Sequence, residues 1–261
     1  MSAVKTCPLN PTDLVTQCRE AGEAQGFRVE TLARIGDTPL IALTKRAMGP
    51  RPRIYLSAGI HGDEPAPPQA ILRLLCSGCL DDRATWFVVP MLNPNGFLTG
   101  SRDNHDGIDL NRDYRNPKSI EVAGHVGWLI SQPRFDLAIC LHEDWESTGY
   151  YLYELAPNGR PDQARRLLRA ATCDLPIEPG DTIDGRPVDE PGIIRPESDP
   201  ALRETWPEAI YLRRHHTQLC YTVESPSMVE LERRITAHVR LIEAAITDQC
   251  ALTAPAPTTN A

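Results

Sequence analysis

Nowhere do the 261 residues hold the roughly 18 consecutive apolar positions that a bilayer-crossing helix needs. The opening Met-Ser-Ala-Val-Lys-Thr-Cys-Pro has no apolar stretch of the export-signal kind. Long runs of Lys or Arg are missing too, and 27 basic against 35 acidic side chains give a formal charge of -8. Such a balance speaks against a nucleic-acid surface, which would need a basic face. There are no internal repeats, so a solenoid is excluded. These absences predict a cytoplasmic protein with no membrane or nucleic-acid partner, acting on a small molecule or peptide, and they leave the oligomeric state open. In that compartment the eight cysteines are expected to be reduced and mostly buried. Cys76-Ser77-Gly78-Cys79 is a solitary CxxC at the end of a helix-like run and reads as structural.

What is present is organised as alternating strands and helices. A composition of 41% hydrophobic and 24% charged residues suits a globular protein, and one domain over residues 1–252 with a disordered tail over 253–261 is expected. Asn10 to Gln25 reads as a capped helix, and Phe27 to Lys45 as two strands meeting at Gly36-Asp37-Thr38-Pro39. Buried-type strands follow at Ile54–Ile60, Trp86–Leu92, Phe135–His142, Tyr150–Leu155 and Gln218–Glu224. Helices are predicted after Pro65, over Ser119–Ser131, Pro161–Cys173 and Met228–Cys250. Asn93 to Arg115 reads as a loop, and Pro176 to Pro200 as an irregular excursion rich in Pro, Gly and Asp. The pattern predicts a three-layer α/β/α sandwich around a mixed, mostly parallel, twisted sheet, in which ligands bind beyond the carboxyl ends of the strands.

Three of those strand ends carry metal-site chemistry: His61-Gly62-Asp63-Glu64, Leu141-His142-Glu143 and Thr222-Val223-Glu224. Hydrolytic zinc takes three ligands from His and Glu or Asp, keeps one position open, and needs a further carboxylate to take a proton from water. His61, Glu64, His142 and Glu224 fill those four roles. A single HxxE arises readily from composition, and His61 or His142 alone would read as a capping or core histidine. It is their joint placement at strand ends that favours a metal site.

In these residues the sequence resembles the zinc carboxypeptidases of the carboxypeptidase A type. His61 and Glu64, Asn93-Pro94-Asn95-Gly96, Arg102, Asp109-Leu110-Asn111-Arg112, His142 and Glu224 follow one another in the order of that family's pattern. The resemblance spans roughly residues 53 to 250. It implies one Zn²⁺ per chain held by His61, Glu64 and His142, with Asp109 orienting a ligand histidine. Glu224 would be the general base toward the zinc-bound water and Arg102 the stabiliser of the developing oxyanion. Asn111 and Arg112 would clamp a terminal carboxylate. For Arg115, solvated surface charge is the alternative.

The short interval between Glu64 and His142 resembles the small bacterial branch that includes murein-peptide amidases. Asp113 stands where many relatives have Asn. Glu143, Asp144 and Trp145 suggest an acidic edge to the site, and Tyr211 is the nearest candidate for the family's mobile tyrosine. Arg186 and Arg195, in the 176–200 excursion, are expected to border the pocket. A sister branch, the succinylglutamate desuccinylase and aspartoacylase group, shares HxxE and Asp-x-Asn-Arg and removes acyl groups from amino acids. Its members usually carry a β region after the catalytic Glu, whereas the residues after Glu224 read here as helix and tail. The sequence therefore favours a metallocarboxypeptidase cutting a C-terminal amide bond. An N-acyl amino acid deacylase is the alternative, and a catalytically silent binding module a distant third.

Overall fold

The computed structural model describes residues 10–156, 161–173 and 175–253. Nearly all of the expected 253–261 tail therefore lies outside the described residues. Helix α1, Pro11–Ala24, begins where Asn10 Oδ1 accepts from the amides of Thr12 and Asp13, with Pro11 in the first turn. Strands β1, Arg28–Ile35, and β2, Thr38–Lys45, form an antiparallel hairpin. Its tight turn needs a left-handed residue, which Gly36 supplies at φ +57°.

Strand β3, Arg53–Ser57, is shorter than the apolar run suggested, because the chain turns away at Gly59, whose φ is +66°. Helix α2, Ala66–Ser77, carries Pro67 and Pro68 in its first turn, where a missing amide costs nothing. Strand β4, Thr85–Val89, leads into the short helix α3, Pro94–Thr99, so the Asn-Pro-Asn-Gly segment is a capped helical turn and not open loop. Helix α4, Ile120–Ile130, is capped by Ser119, and strand β5 is Leu137–Asp144.

Strand β6, Tyr151–Leu155, precedes helix α5, Pro161–Ala171. The 176–200 excursion is more regular than expected. It holds a two-stranded hairpin, β7 Thr182–Ile183 with β8 Arg186–Pro187, and strand β9, Ile193–Ile194, which pairs with β6. Helix α6, Glu208–His215, strand β10, Cys220–Pro226, and helix α7, Leu231–Thr253, complete the order.

The eight-stranded sheet runs β1-β2-β4-β3-β5-β10-β6-β9. Strands β4, β3, β5 and β10 are mutually parallel, and the strands added outside them bring the antiparallel pairings β1–β2, β2–β4 and β10–β6. Alternate residues go to opposite faces. Ile54, Leu56, Trp86, Val88, Ile139 and Val223 pack with residues of α1, α2, α5 and α7. Tyr55, Phe87, Val89, Cys140 and Cys220 pack with residues of α4 and α6. The three-layer sandwich with a mixed sheet is thus the fold expected from the sequence. Its four central strands bring their carboxyl ends to one edge.

Cys18, Cys76, Cys79, Cys140, Cys173 and Cys220 are free thiols. Only Cys18, Cys140 and Cys220 are buried, fewer than expected, because Cys76 and Cys173 lie on the outer faces of helix ends. Among the described residues no helix is long and apolar enough to cross a membrane.

Candidate metal centre and substrate cleft

His61 is carried past the end of β3 on an extension tied to the neighbouring strand. The Ala58 amide donates to Val89 O, and the Leu92 and Asn93 amides donate back to Gly59 O. Gly62 then lies so close to α3 that a Cβ there would stand 2.0 Å from the Gly96 carbonyl carbon. Its amide donates to Ser101 O at 3.0 Å. Asn93 Oδ1 accepts from the Gly96 amide at 2.9 Å and its Nδ2 donates to Arg102 O at 3.0 Å. The Asn-Pro-x-Gly segment therefore positions both the HxxE turn and Arg102.

His61, Glu64 and His142 converge, all three buried, with one donor atom from each lying within 4.8 Å of the others. Glu64 Oε1 is 2.6 Å from His61 Nδ1, and Glu64 Oε2 is 3.1 Å from His142 Nδ1. His61 turns its other nitrogen, Nε2, to Asp109 Oδ1 at 3.3 Å. A neutral imidazole has one N–H. If Nε2–H donates to Asp109, then Nδ1 presents a lone pair to a carboxylate oxygen, an approach that needs a cation or an extra proton between them. Apart from that approach by His142 Nδ1, buried Glu64 Oε2 has no hydrogen-bond partner among the described residues. Two imidazoles and a carboxylate are also the donor set that zinc takes, at about 2 Å from each. The residues fit a divalent metal.

The ionisation of these groups is mutually dependent. Burial alone would lower His61, but the Glu64 charge and the hydrogen bonds to Asp109 and Glu64 hold it up to about 9. Glu64, whose burial would raise it, is instead held down to about 2 by His61 and His142.

Asp109 joins three of the predicted residues through one carboxylate. Besides His61, Oδ1 accepts from the Asn111 amide at 2.8 Å and Oδ2 from Arg102 Nε at 3.2 Å. Burial opposes its ionisation, yet the hydrogen bond and charge of His61 and the charges of Arg102 and Arg112 keep it well below the usual carboxylate range. Arg102 also reaches 3.8 Å from Glu64 Oε1.

Glu224 lies directly opposite His142 in the parallel β5–β10 pair and opposite Tyr151 in the antiparallel β10–β6 pair. Burial raises its carboxyl to about 8; His142 and Arg102 pull it down, Glu64 and Asp144 push it up. Asn111 and Arg112 also line the cleft, whose volume is about 610 Å³. Asn111 is partly committed already, since its Oδ1 accepts from the Glu208 amide at 2.9 Å.

Several expectations are corrected. Asp144 and Trp145 line the cleft as expected, but Glu143 beside them is not exposed: it is buried, accepts from the Ala66 amide at the start of α2, and pairs with Arg234 of α7. Burial lifts it to about 7 against the pull of Arg234. Tyr211 packs against Tyr114, His215 and His216, and does not line the cleft. Arg195 bonds Glu154 and Glu190 instead of bordering the cleft. Arg115 is not merely solvated, for its guanidinium donates to Arg203 O and Glu204 O. Asp113 accepts from the amides of Lys118 and Ser119 and from Ser119 Oγ, a turn-holding role that a carboxylate fills with its two oxygens.

Some cleft residues were not singled out from sequence. Tyr151 and Tyr153 line it from β6, donating to Asp144 and Asp184 respectively. Burial and nearby carboxylates raise both phenols far above their usual value. Arg186 lines the cleft as expected, and Arg203 joins it. Burial, then the neighbouring Arg186 and Arg112, hold the Arg203 guanidinium below its usual value, and all three side chains line the cleft together with Asp144, Asp184 and Glu204. Trp145 stands at the mouth, 71% exposed.

Residues 50–212, more than half of the chain, match the succinylglutamate desuccinylase/aspartoacylase catalytic domain. The matched range ends before β10. A stretch of 119 residues is 30% identical to carboxypeptidase E of Caenorhabditis elegans, covering 36% of this chain and 24% of that protein, so the match spans about a quarter of the relative's length. Among solved structures, a provisionally assigned metallopeptidase from Shewanella amazonensis superposes with a TM-score of 0.79 at 26% identity, covering 92% of this chain and 94% of that one. A metallo-carboxypeptidase from Burkholderia cenocepacia shares the fold at a TM-score of 0.70 and 17% identity, over 92% of this chain and 69% of that one.

Proposed function

This chain belongs to the succinylglutamate desuccinylase/aspartoacylase catalytic-domain family, and on that premise we propose that it is a zinc-dependent metallocarboxypeptidase, hydrolysing the C-terminal amide bond of a small peptide or peptide-like substrate. The observation that carries the reading is the convergence of His61, Glu64 and His142 beside Glu224, at the edge of a cleft walled by arginines. His61, Glu64 and His142 hold one zinc ion, and Asp109 fixes His61 through the nitrogen that faces away from Glu64. When bound, the metal supplies a Lewis acid for the amide carbonyl and lowers the pKa of water.

The remaining work falls to the chain's own groups. Glu224 accepts a proton from the attacking water and passes it to the leaving nitrogen. A carboxyl raised by burial suits both halves of that exchange near neutral pH. Arg102, held by Asp109, supports the negative charge that grows on the amide oxygen. Arg112 and the amide of Asn111 receive the free carboxylate of the departing residue, as a guanidinium fork suits. Arg186 and Arg203, which also line the cleft, add positive charge for the rest of that residue.

A second reading is favoured by the family match itself: removal of a simple acyl group from an N-acyl amino acid. Both reactions cleave an amide whose nitrogen belongs to a carboxylate-bearing amino acid, and they differ only in what the acyl side carries. Metal content of chelator-free protein, measured by plasma mass spectrometry beside His142→Ala, tests the foundation. About one zinc per chain, largely lost in the variant, supports the site; no metal in either, even after reconstitution with zinc, sinks it. Hydrolysis of dipeptides compared with N-acetyl and N-succinyl amino acids then separates the two readings.

A further inference from the structure

Beneath the cleft lies a carboxylate that the chemistry above leaves unused. Glu208, at the first position of α6, is 1% exposed, and its side chain points into the sheet. Tyr55 donates to its Oε1 at 2.6 Å and Ser57 Oγ to its Oε2 at 3.0 Å. No lysine or arginine forms an ion pair with it among the described residues; burial raises its carboxyl, and the hydroxyls of Tyr55 and Ser57 on β3, with smaller help from the His142 charge and the Cys140 thiol, oppose that rise.

The hydrogen bonds run on from Tyr55 and return to the cleft. Tyr55 OH is also 2.9 Å from His125 Nε2, and His125 Nδ1 is 2.8 Å from Tyr114 OH. A phenol has one proton. With that of Tyr55 given to Glu208, its oxygen must accept from His125 Nε2–H. His125 Nδ1 is then bare and accepts from Tyr114. Tyr114 is two residues beyond Arg112, and the Glu208 amide donates to Asn111 Oδ1 at 2.9 Å. The circuit therefore closes on the Asn111–Tyr114 segment from both sides. Burial, with a smaller contribution from His216, lowers His125 to about 3, in keeping with a neutral ring of one defined tautomer.

We infer that Glu208 is a positioning residue: through Tyr55, His125 and Tyr114 on one side and its own amide on the other, it fixes Asn111 and Arg112 where they receive the substrate's free carboxylate. The inference rests on the role the proposed function gives to those two residues. Tyr55, His125 and Glu208 do not themselves line the cleft, so their influence runs through position alone. Contacts to a carboxylate that takes no part in bond making or breaking act nearly equally on bound substrate and transition state, and their loss raises KM while sparing kcat.

The test uses the zinc-loaded full chain with Glu208→Leu, Glu208→Gln and Tyr55→Phe. Two readouts are taken on the same samples. The first is the ¹⁵N signal of the His125 ring without substrate, which reports which nitrogen carries the proton. The second is kcat and KM on the best substrate of the screen and on its C-terminal amide. Glu208→Leu and Tyr55→Phe should move the His125 proton and raise KM for the free acid about tenfold, roughly 1.4 kcal/mol, with kcat within about twofold and the amide unaffected. Glu208→Gln, whose amide oxygen can still accept from Tyr55, should recover most of that loss. If Glu208→Leu fails to fold, Tyr55→Phe carries the same expectation. An unchanged His125 signal, or equal losses on acid and amide, overturns the inference. A wild type that turns over neither substrate counts against the proposed function instead, and the His125 signal then decides alone whether Glu208 governs the circuit.

Discussion

Glu224 and His142 sit side by side as register partners in the β5–β10 pair, so the carboxylate and the imidazole of the candidate metal centre leave the sheet at the same level. Parallel pairing makes their separation a property of the backbone and not of a flexible loop. Glu224→Gln should lower kcat by about two orders of magnitude or more while leaving zinc content at the wild-type level. Near wild-type turnover in the variant would remove Glu224 from the mechanism.

Asp109 should matter to the metal and not only to the loop. Asp109→Asn keeps the shape but weakens the hold on His61 Nε2, and zinc affinity is expected to fall roughly 10- to 100-fold. Competition with a chromogenic chelator reads this directly, and an unchanged affinity would reduce Asp109 to an anchor for Arg102.

Arg112→Ala should weaken substrates bearing a free carboxylate much more than their amides. A charge-assisted hydrogen bond is worth roughly 1.5–3 kcal/mol, so the ratio of the two kcat/KM values should drop at least about tenfold. Equal losses on acid and amide would mean that Arg112 does not read the terminus.

Gly62→Ala tests the packing of the HxxE turn on α3. The added methyl meets backbone, which cannot rotate away. Overpacking of this kind costs about 1–3 kcal/mol, so Tm should fall by several degrees and zinc should bind more weakly. Full stability with full zinc occupancy would mean that the turn can shift without cost.

The pH dependence of His125 has a definite sign. Its folded value of about 3 lies below the ordinary 6.5, so between these limits the unfolded chain binds the extra proton and acid destabilises the fold. Glu143 and Glu224 are raised and work the other way, so the informative quantity is a difference between proteins. The stability advantage of wild type over His125→Gln should be largest above pH 6.5. It should shrink by about 1.4 kcal/mol per pH unit on going toward pH 5. Urea midpoints at pH 7 and pH 5 measure it, and a gap that stays constant would show that His125 titrates normally in the fold.

The convergence of the candidate site was legible in the sequence because a strand that is apolar throughout makes its first polar residue conspicuous, and His61, His142 and Glu224 each end or follow such a strand. Asn93 and Gly96 were visible as a motif, though not as the seat of Gly62, since that contact joins segments more than thirty residues apart. Tyr151 and Tyr153 were hidden because their face depends on which strand β6 joins, and antiparallel pairing to β10 is a tertiary choice. Tyr211 was misplaced for a related reason: α6 turns that ring inward, among Tyr114, His215 and His216. Glu143 read as surface charge because its partner, Arg234, lies ninety-one positions away.

Arg115 grips the backbone carbonyls of Arg203 and Glu204, and in doing so it fastens the far end of the segment that brings Arg186 and Arg203 to the cleft. None of the metal's candidate ligands belongs to that segment. On the proposed function, exchanging Arg186 or Arg203 for a neutral residue would therefore retune which substrates enter while leaving His61, Glu64 and His142 in place.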